Sequence, residues 1–220
     1  EYNSIGYAMG TRRIYHNNQK KTLIMVAIRG GGYGAEWGGN ANVGAGMEHE
    51  GFELAANQVY WALNDYIGEL KECNFIEGRD VVVWISGYSR GAATANLLAS
   101  KLDDNYYMRA EPPKNAKGEV QEEHIMDVQA SNVYAYCFEC PQNTTNSYNN
   151  HSRYMNIFNI INPKDFVTYV AMNNGWDWRF KRYGKDLVLP DEANMREYAT
   201  YKRRMELVYQ EGTAPDFGEN

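Results

Sequence analysis

Short apolar runs separated by polar segments predict that strands and helices alternate along the chain. Strands are expected at residues 22–28, 81–85, 133–138 and 155–161, because each run is short and rich in aliphatic or aromatic residues. The run at 81–85 is apolar at every position, which is typical of a strand buried on both faces of a parallel sheet. The chain is therefore predicted to have an α/β fold, with a mostly parallel central sheet, helices on both faces and residues 81–85 at the centre.

Weaker periodic patterns add a hairpin at the start of the chain and two helices further on. Residues 4–14 alternate loosely between apolar and polar, and a polar turn cluster at 16–20 should join them to an antiparallel partner strand. Residues 47–72 carry apolar side chains at three- and four-residue spacing, which predicts a helix with one buried face. Another helix is expected at about 190–210, and the sequence contains no internal repeat and no sign of a second domain.

Length and charge narrow the class of protein. A chain of 220 residues and 25.2 kDa is long enough for one α/β domain with a sizeable core. Its net charge of −6 gives no support to nucleic-acid binding, which needs a basic surface. No apolar run reaches the length of about 18 residues that a membrane span requires. The first residues do not form a signal peptide, but a processed start would look the same, so secretion stays open.

The three cysteines do not predict a disulfide framework or a metal site. Cys73 stands alone, whereas Cys137 and Cys140 form a single CxxC at the end of an apolar run. A structural zinc site would need a second such pair or a pair of histidines. We therefore interpret Cys137 and Cys140 as small residues at the end of a strand.

The candidate chemistry centres on Gly87-x-Ser89-x-Gly91, which follows the 81–85 run and precedes a helix of small residues. This strand–turn–helix context is the one in which G-x-S-x-G forms a nucleophile elbow. Ser89 would be the nucleophile, while Gly87 and Gly91 let the helix pass close to the strand. The N–H of Arg90, at the start of the helix, is a candidate oxyanion donor. The alternative is a chance pentapeptide in a chain with 20 glycines, which the flanking strand and helix make the weaker interpretation.

A glycine-rich run after the 22–28 strand supplies the candidate for a second oxyanion donor. Neither G-K-[ST] nor a GxGxxG helix start follows it, so nucleotide binding is unsupported. In an α/β-hydrolase the second donor comes from a loop after an early strand, and we expect the N–H of Gly31 to fill this role, with Gly32 as the next candidate. The alternative is a flexible loop without a catalytic role.

Asp165 follows the 155–161 strand and comes after Ser89 in the chain. Both the position and the order fit the carboxylate that orients a catalytic histidine. An Asx turn or a helix cap is the alternative, since aspartate suits both.

Together these motifs resemble the class 3, or fungal-lipase-like, α/β-hydrolases, particularly their bacterial relatives with a G-Y-S-R-G-A elbow. The motifs that carry the resemblance are Ile28-Arg29-Gly30, His49-x-Gly51-Phe52, Gly87-Tyr88-Ser89-Arg90-Gly91 and Asn162-Pro163-x-Asp165-x-Val167. The resemblance implies a Ser–Asp–His triad, hydrolysis of a lipid or small-molecule ester through an acyl-enzyme, no cofactor and no metal. It also implies export to the cell surface or the medium, and it leaves the oligomeric state open.

The histidines depart from the family pattern. Family order puts the catalytic histidine after the aspartate, yet His16, His49, His124 and His151 all precede Asp165. We therefore expect residues 1–220 to form a single α/β-hydrolase domain that lacks its C-terminal part, with the catalytic histidine beyond residue 220. His151 is the best internal substitute, although a surface histidine is the more ordinary interpretation. Two functions follow: a serine esterase or lipase, or a catalytically inactive hydrolase fold that serves as a binding module.

Overall fold

A computed structural model describes most of the chain. The described residues are 5–16, 18–31, 40, 42–76, 80–105, 127–171, 179–190 and 203. Gly32 and His124 lie outside them, and so does the helix expected at 190–210, apart from residues 190 and 203.

The described residues form one six-stranded sheet and two long helices. The strands are β1 (Tyr7–His16), β2 (Gln19–Ile28), β3 (Val81–Tyr88), β4 (Val133–Phe138), β5 (Ile157–Ile161) and β6 (Lys185–Val188), and the helices are α1 (Glu50–Glu72) and α2 (Arg90–Asp103). Short 3₁₀ helices cover Ala130–Asn132, Ser152–Tyr154 and Phe166–Tyr169. The strands lie side by side in chain order from β1 to β6. Only the β1–β2 pair is antiparallel, so the mostly parallel α/β sheet predicted from the sequence is confirmed.

The predicted N-terminal hairpin is present and brings the end of β2 to the edge where the parallel strands end. Tyr7 pairs with Ile28, and His16 pairs with Gln19. The turn is shorter than the polar cluster suggested, since Gln19 and Lys20 already pair across the hairpin. Asn18 supports this tight turn with a φ of 60°, a conformation that asparagine tolerates better than most residues.

One face of the sheet packs against α2, which is buried along its whole length. Alternate residues of β3 point toward this helix, and Val83 and Ile85 are completely buried there. Small side chains allow the close approach; the alanines of the helix that belong to the core are Ala92, Ala93, Ala95 and Ala99. The second helix, α1, packs against α2 and contributes the buried face that its periodicity predicted, which consists of Phe52, Ala55, Val59, Leu63 and Ile67.

The opposite face of the sheet carries large apolar side chains that are partly exposed. Trp84 of β3 is 42% exposed, although the sequence predicted burial on both faces of this strand. Its ring lies 6.1 Å from that of Tyr136, which in turn stacks on Phe158 at 5.2 Å. Burial along β3 thus changes at Trp84, since Val81, Val82 and Val83 are all buried and the pattern alternates only from Trp84 onward.

Membrane spans and metal clusters are both absent from the residues that the structure describes. None of the described helices combines the length and the apolar character that a bilayer span needs. No group of three histidine, cysteine, aspartate or glutamate side chains within the described ranges is placed to hold a metal ion. Cys137 and Cys140 are free thiols buried in the core, in keeping with their interpretation as strand-end residues.

Candidate active site

The candidate residues from three separate motifs meet at the carboxyl edge of the sheet. Ile28 ends β2, Tyr88 ends β3 and Ile161 ends β5, and these parallel strands leave the sheet at the same edge. The loops that follow carry Gly31, Ser89 and Asp165 respectively. Catalytic residues in open α/β sheets are found at this edge, because several loops converge there.

Ser89 occupies the sharp turn between β3 and α2. Its φ of 54° and ψ of −124° lie in a region that non-glycine residues rarely adopt, as expected for a nucleophile elbow. Its N–H donates to the carbonyl of Phe138 at 2.9 Å, which anchors the turn to β4. Serine at an N-cap usually accepts a hydrogen bond from the first turn, but the Ser89 side chain makes no such bond. The hydroxyl is therefore presented at the edge of the sheet rather than used to cap the helix.

The two glycines of the elbow lie where no larger residue fits. A Cβ added to Gly87 would lie 2.2 Å from the carbonyl oxygen of Gly91. A Cβ on Gly91 would lie 2.5 Å from the carbonyl oxygens of both Ile28 and Arg29. The first turn of α2 thus rests directly on the backbone at the ends of β2 and β3; the sequence motif predicted the close approach to β3, but not the contact with β2.

The glycine-rich loop starts next to the elbow. Backbone at Gly30 passes close to the Tyr88 carbonyl, from which an added Cβ would be 3.1 Å away. An added Cβ on Gly31 would contact the Cβ of Arg90 at 3.6 Å. The structure therefore brings Gly31 next to the first residue of α2, whose N–H belongs to the positive end of the helix dipole.

Asp165 lies half-buried at the same edge and already has a structural role. Its Oδ1 accepts a hydrogen bond from the N–H of Val167 at 2.9 Å, so it caps the 3₁₀ helix Phe166–Tyr169. The capping bond leaves the Asp165 carboxylate able to accept further hydrogen bonds, because a carboxylate accepts several. Only β4 separates β3 from β5, so the ends of these two strands are about 10 Å apart.

Glu139 is a residue of this edge that the sequence did not single out. It follows β4 with a φ of 50°, a left-handed conformation that is uncommon for glutamate. Its N–H donates to the carbonyl of Ile160, and its Oε2 accepts from the N–H of Asn162, both at 2.9 Å. These bonds fix the start of the loop that carries Asp165. The only sequence signal was a charged residue directly after an apolar strand, which occurs in many solvent-exposed loops.

His49 is buried beside the elbow, with its ring engaged. The imidazole stacks on Phe52 at 4.0 Å, and its Nε2 lies 3.2 Å from the carbonyl oxygen of Asn40. Since a carbonyl can only accept, Nε2 carries the proton in this bond. Burial lowers the pKa of His49, and the nearby positive charge of Arg90 lowers it further. This histidine thus has a structural position, in which its ring is packed against Phe52 and bonded to Asn40.

The other two described histidines lie at the opposite edge of the sheet. His16 ends β1 beside the first residue of β2. His151 is exposed and caps the 3₁₀ helix Ser152–Tyr154, where Arg153 binds Asp104 at 2.9 Å. Asp104 follows the last residue of α2, which at 14 residues is about 21 Å long. The structure therefore does not bring His151, the internal substitute for the base, to Ser89.

Asp103, at the same far end of α2, gives a prediction about pH. Burial raises its pKa to about 8, although a hydrogen bond from Asn156 opposes the shift. Between its unfolded value of 3.8 and about 8, the folded protein holds a proton that the unfolded chain releases. Stability contributed by this carboxyl is complete below the unfolded pKa and is lost as the pH rises. We expect urea unfolding to show a loss approaching about 1.4 kcal/mol per pH unit from pH 5 to pH 7.

Asp103→Asn should remove this part of the pH dependence and stabilise the protein at pH 7, because the amide is neutral in both states and takes up no proton on folding. Asp65→Asn, on the exposed side of α1, is the matched control and should leave the slope unchanged. Equal slopes for wild type and Asp103→Asn would show that Asp103 is not the group responsible.

Comparison with known proteins identifies the family to which the chain belongs. The model of the family Lipase (class 3) matches residues 25–175, more than half of the chain. The chain belongs to the class 3 lipases. Membership of this family makes it a carboxylic ester hydrolase of the lipase type, and the resemblance noted in the sequence is confirmed. The matched region contains Gly31, the whole elbow and Asp165, so the class 3 lipase match includes every candidate residue named above.

Solved structures show that the fold of this class 3 lipase is that of fungal lipases. The triacylglyceride lipase of Rhizomucor miehei is 15% identical with a TM-score of 0.52, over 84% of this chain and 68% of that one. A lipase from Rhizopus microsporus var. chinensis is 14% identical with a TM-score of 0.51, over 84% of this chain and 62% of that one. A triacylglycerol lipase whose catalytic centre is a serine protease triad is 16% identical with a TM-score of 0.52, over 84% and 68%. A comparison with curated protein sequences found no match.

Proposed function

We propose that Ser89 is the nucleophile of an esterase or lipase that works through an acyl-enzyme. The observation that carries this proposal is the conformation of Ser89, which has a positive φ and a hydroxyl that does not cap its helix. A strained residue persists only where the surrounding structure holds it, and such residues cluster at active sites. Arg90 and Gly31 would donate their N–H groups to the oxyanion, and Asp165 would orient the base.

The reaction would proceed in two steps, the acylation of Ser89 and the hydrolysis of the acyl-enzyme. Ser89 Oγ attacks the ester carbonyl carbon while its proton passes to a histidine, which returns the proton to the alcohol as the C–O bond breaks. A water molecule then attacks the acyl-enzyme in the same way, releasing the carboxylic acid and restoring the serine. The two N–H groups would stabilise the negative oxygen in both steps, and Asp165 would stabilise the imidazolium.

The surroundings of Ser89 favour an ester with an apolar acyl chain. Exposed aromatic and aliphatic side chains end four of the strands at this edge or follow shortly after them: Tyr88, Phe138, Phe166, Tyr169, Val188 and Leu189. Apolar residues gathered around a nucleophile provide the surface that an acyl chain would bury. A lipid ester, as the family implies, is therefore the proposed substrate class. Export to the cell surface or the medium belongs to the same proposal.

The base is inferred to be a histidine that follows residue 220 in a longer form of the protein, because family order places it after the aspartate. A fluorophosphonate probe, which forms a P–O bond with an activated serine and releases fluoride, tests this arrangement. The 220-residue chain should react slowly and a C-terminally extended chain rapidly, with the adduct on Ser89. In the extended chain, Asp165→Asn should lower kcat by about 10³- to 10⁴-fold, because the histidine tautomer would be wrong.

A catalytically inactive fold that serves as a binding module is the second candidate. It is favoured by the positions of the three described histidines, of which His16 and His151 lie at the far edge and His49 is packed against Phe52. An extended chain that neither reacts with the probe at Ser89 nor hydrolyses a panel of p-nitrophenyl esters would establish this candidate and exclude the first.

A further inference from the structure

Arg90 has a buried side chain whose contacts the proposed reaction does not use. The whole residue is 1% exposed and is the largest fully buried residue of the described chain. Arginine is almost never buried to this extent unless it is paired. Its Nη1 donates a hydrogen bond to Oδ1 of Asn40 at 2.9 Å. The stem lies against Gly31, where an added Cβ would contact the Cβ of Arg90 at 3.6 Å and its Cδ at 3.7 Å.

Asn40 is held from a second side by the start of α1. Its backbone carbonyl accepts from Nε2 of His49 at 3.2 Å. His49 is fixed in turn, because its ring stacks on Phe52 and its N–H donates to the carbonyl of Asn143 at 2.8 Å. Asn40 is therefore hydrogen-bonded to the first residue of α2 and to His49, the residue that precedes α1.

Gly31 and Asn40 are the residues that flank positions 32–39 of the chain. The aliphatic stem of Arg90 lies next to Gly31, within reach of a Cβ added there, and its guanidinium binds Asn40. The same arginine begins α2 directly after Ser89. Its side chain thus links the nucleophile turn to the loop that carries the second candidate oxyanion donor.

We propose that the Arg90 side chain is a positioning residue that holds Gly31 in register with the first turn of α2, so that the two oxyanion donors face one point. The inference rests on the proposed function of Ser89. Every residue except proline would present the same backbone N–H at position 90, so a need for arginine can only come from its side chain. We call this positioning of Gly31 by the Arg90 side chain the clamp. The clamp would stabilise the transition state rather than the bound substrate, because the oxyanion forms only in the transition state.

Arg90→Met tests the clamp, because it keeps the backbone N–H and most of the apolar stem but removes the bond to Asn40. In the extended chain, kcat should fall by about 10²-fold, as expected when an oxyanion donor is misplaced by about 1 Å, while KM changes by less than about threefold. The matched control is Lys101→Met. Lys101 is also a buried cation of α2, in the last turn of the helix, and its Nζ binds Glu53 at 3.0 Å. This variant should lose stability and keep its kcat.

A second readout does not depend on catalysis. Amide hydrogen exchange followed by mass spectrometry should be faster in residues 28–31 and 42–49 of Arg90→Met, and unchanged there in Lys101→Met. Asn40→Ala removes the same hydrogen bond from a half-buried residue, and replaces Arg90→Met if that variant fails to fold. The double variant should be no slower than Arg90→Met alone, because both changes break one link.

The outcomes separate this inference from the proposed function. If hydrolysis depends on Ser89 but Arg90→Met keeps its kcat, the clamp is wrong and the nucleophile assignment stands, whatever the exchange rates show. If hydrolysis does not depend on Ser89, the proposed function is wrong, and a positioning role for Arg90 falls with it. If Arg90→Met and Lys101→Met lowered kcat by the same factor, the clamp would also be wrong, because the fall would then reflect a general loss of stability.

Discussion

Ser89→Ala should abolish Ser89-directed fluorophosphonate labelling and lower kcat for p-nitrophenyl esters in the extended chain by about 10⁴-fold or more. Without the hydroxyl no acyl-enzyme can form, and only binding and the oxyanion donors remain to accelerate direct attack by water. The same substitution should have little effect on stability. Replacing an N-cap serine usually costs about 1 kcal/mol, but Ser89 makes no capping bond to lose.

Ser89→Gly should abolish activity and at the same time increase stability. Glycine adopts a φ of 54° without the steric cost that serine bears there. In urea unfolding, the free energy of unfolding of this inactive variant should therefore exceed that of wild type by about 1 kcal/mol. The control is Ser100→Ala on the same helix, where the hydroxyl donates to the Leu97 carbonyl at 2.9 Å and has no part in the site. Retained labelling in Ser89→Ala would place the reactive serine elsewhere.

The elbow could be predicted from the sequence because its constraints are local. A strand, a turn between two glycines and a helix of alanines leave few alternative packings, and the structure has each of them in place. The hairpin and α1 could be predicted for the same reason. Each is specified by side chains within about 25 residues, so no distant partner is needed to decide the pattern.

Features that depend on distant residues were not predictable in this way. β6 has four exposed residues and no apolar alternation, and it is a strand because β5 offers an unpaired edge. Glu139 adopts its left-handed conformation because the ends of β4 and β5 lie side by side. The contact between Arg90 and Asn40 joins residues 50 positions apart, and neither residue belongs to a motif that would suggest the pair.

Asp165 shows why a residue can be located correctly while its role stays a proposal. The sequence left a triad carboxylate and a helix cap as alternatives, and the structure shows the cap. The two roles are compatible, because the cap holds the side chain at the edge of the sheet and uses one lone pair of Oδ1. A carboxylate fixed in this way has lost its rotamer freedom before a histidine binds, which suits an orienting role.

Gly91→Ala should be strongly destabilising, although it adds only one methyl group. The added methyl would lie 2.5 Å from the carbonyl oxygens of Ile28 and Arg29, and both contacts are with backbone that cannot rotate away. Relief requires α2 to move off the end of β2, which would also displace Arg90 from Gly31. We expect the free energy of unfolding to fall by roughly 3 kcal/mol or more, with loss of ester hydrolysis in whatever fraction remains folded.

Urea unfolding and kcat measured on Gly91→Ala and Gly10→Ala test this expectation. Gly10 lies in the interior of β1, and its nearest neighbour for an added Cβ is Met25 Cε at 4.0 Å. Alanine fits there without strain and should stabilise the protein by up to about 1 kcal/mol, because it restricts the unfolded chain. If Gly91→Ala unfolded at the same urea concentration as wild type and kept its kcat, α2 could not rest on the end of β2. The contact between the elbow and the glycine-rich loop, on which the oxyanion assignment depends, would then have to be abandoned.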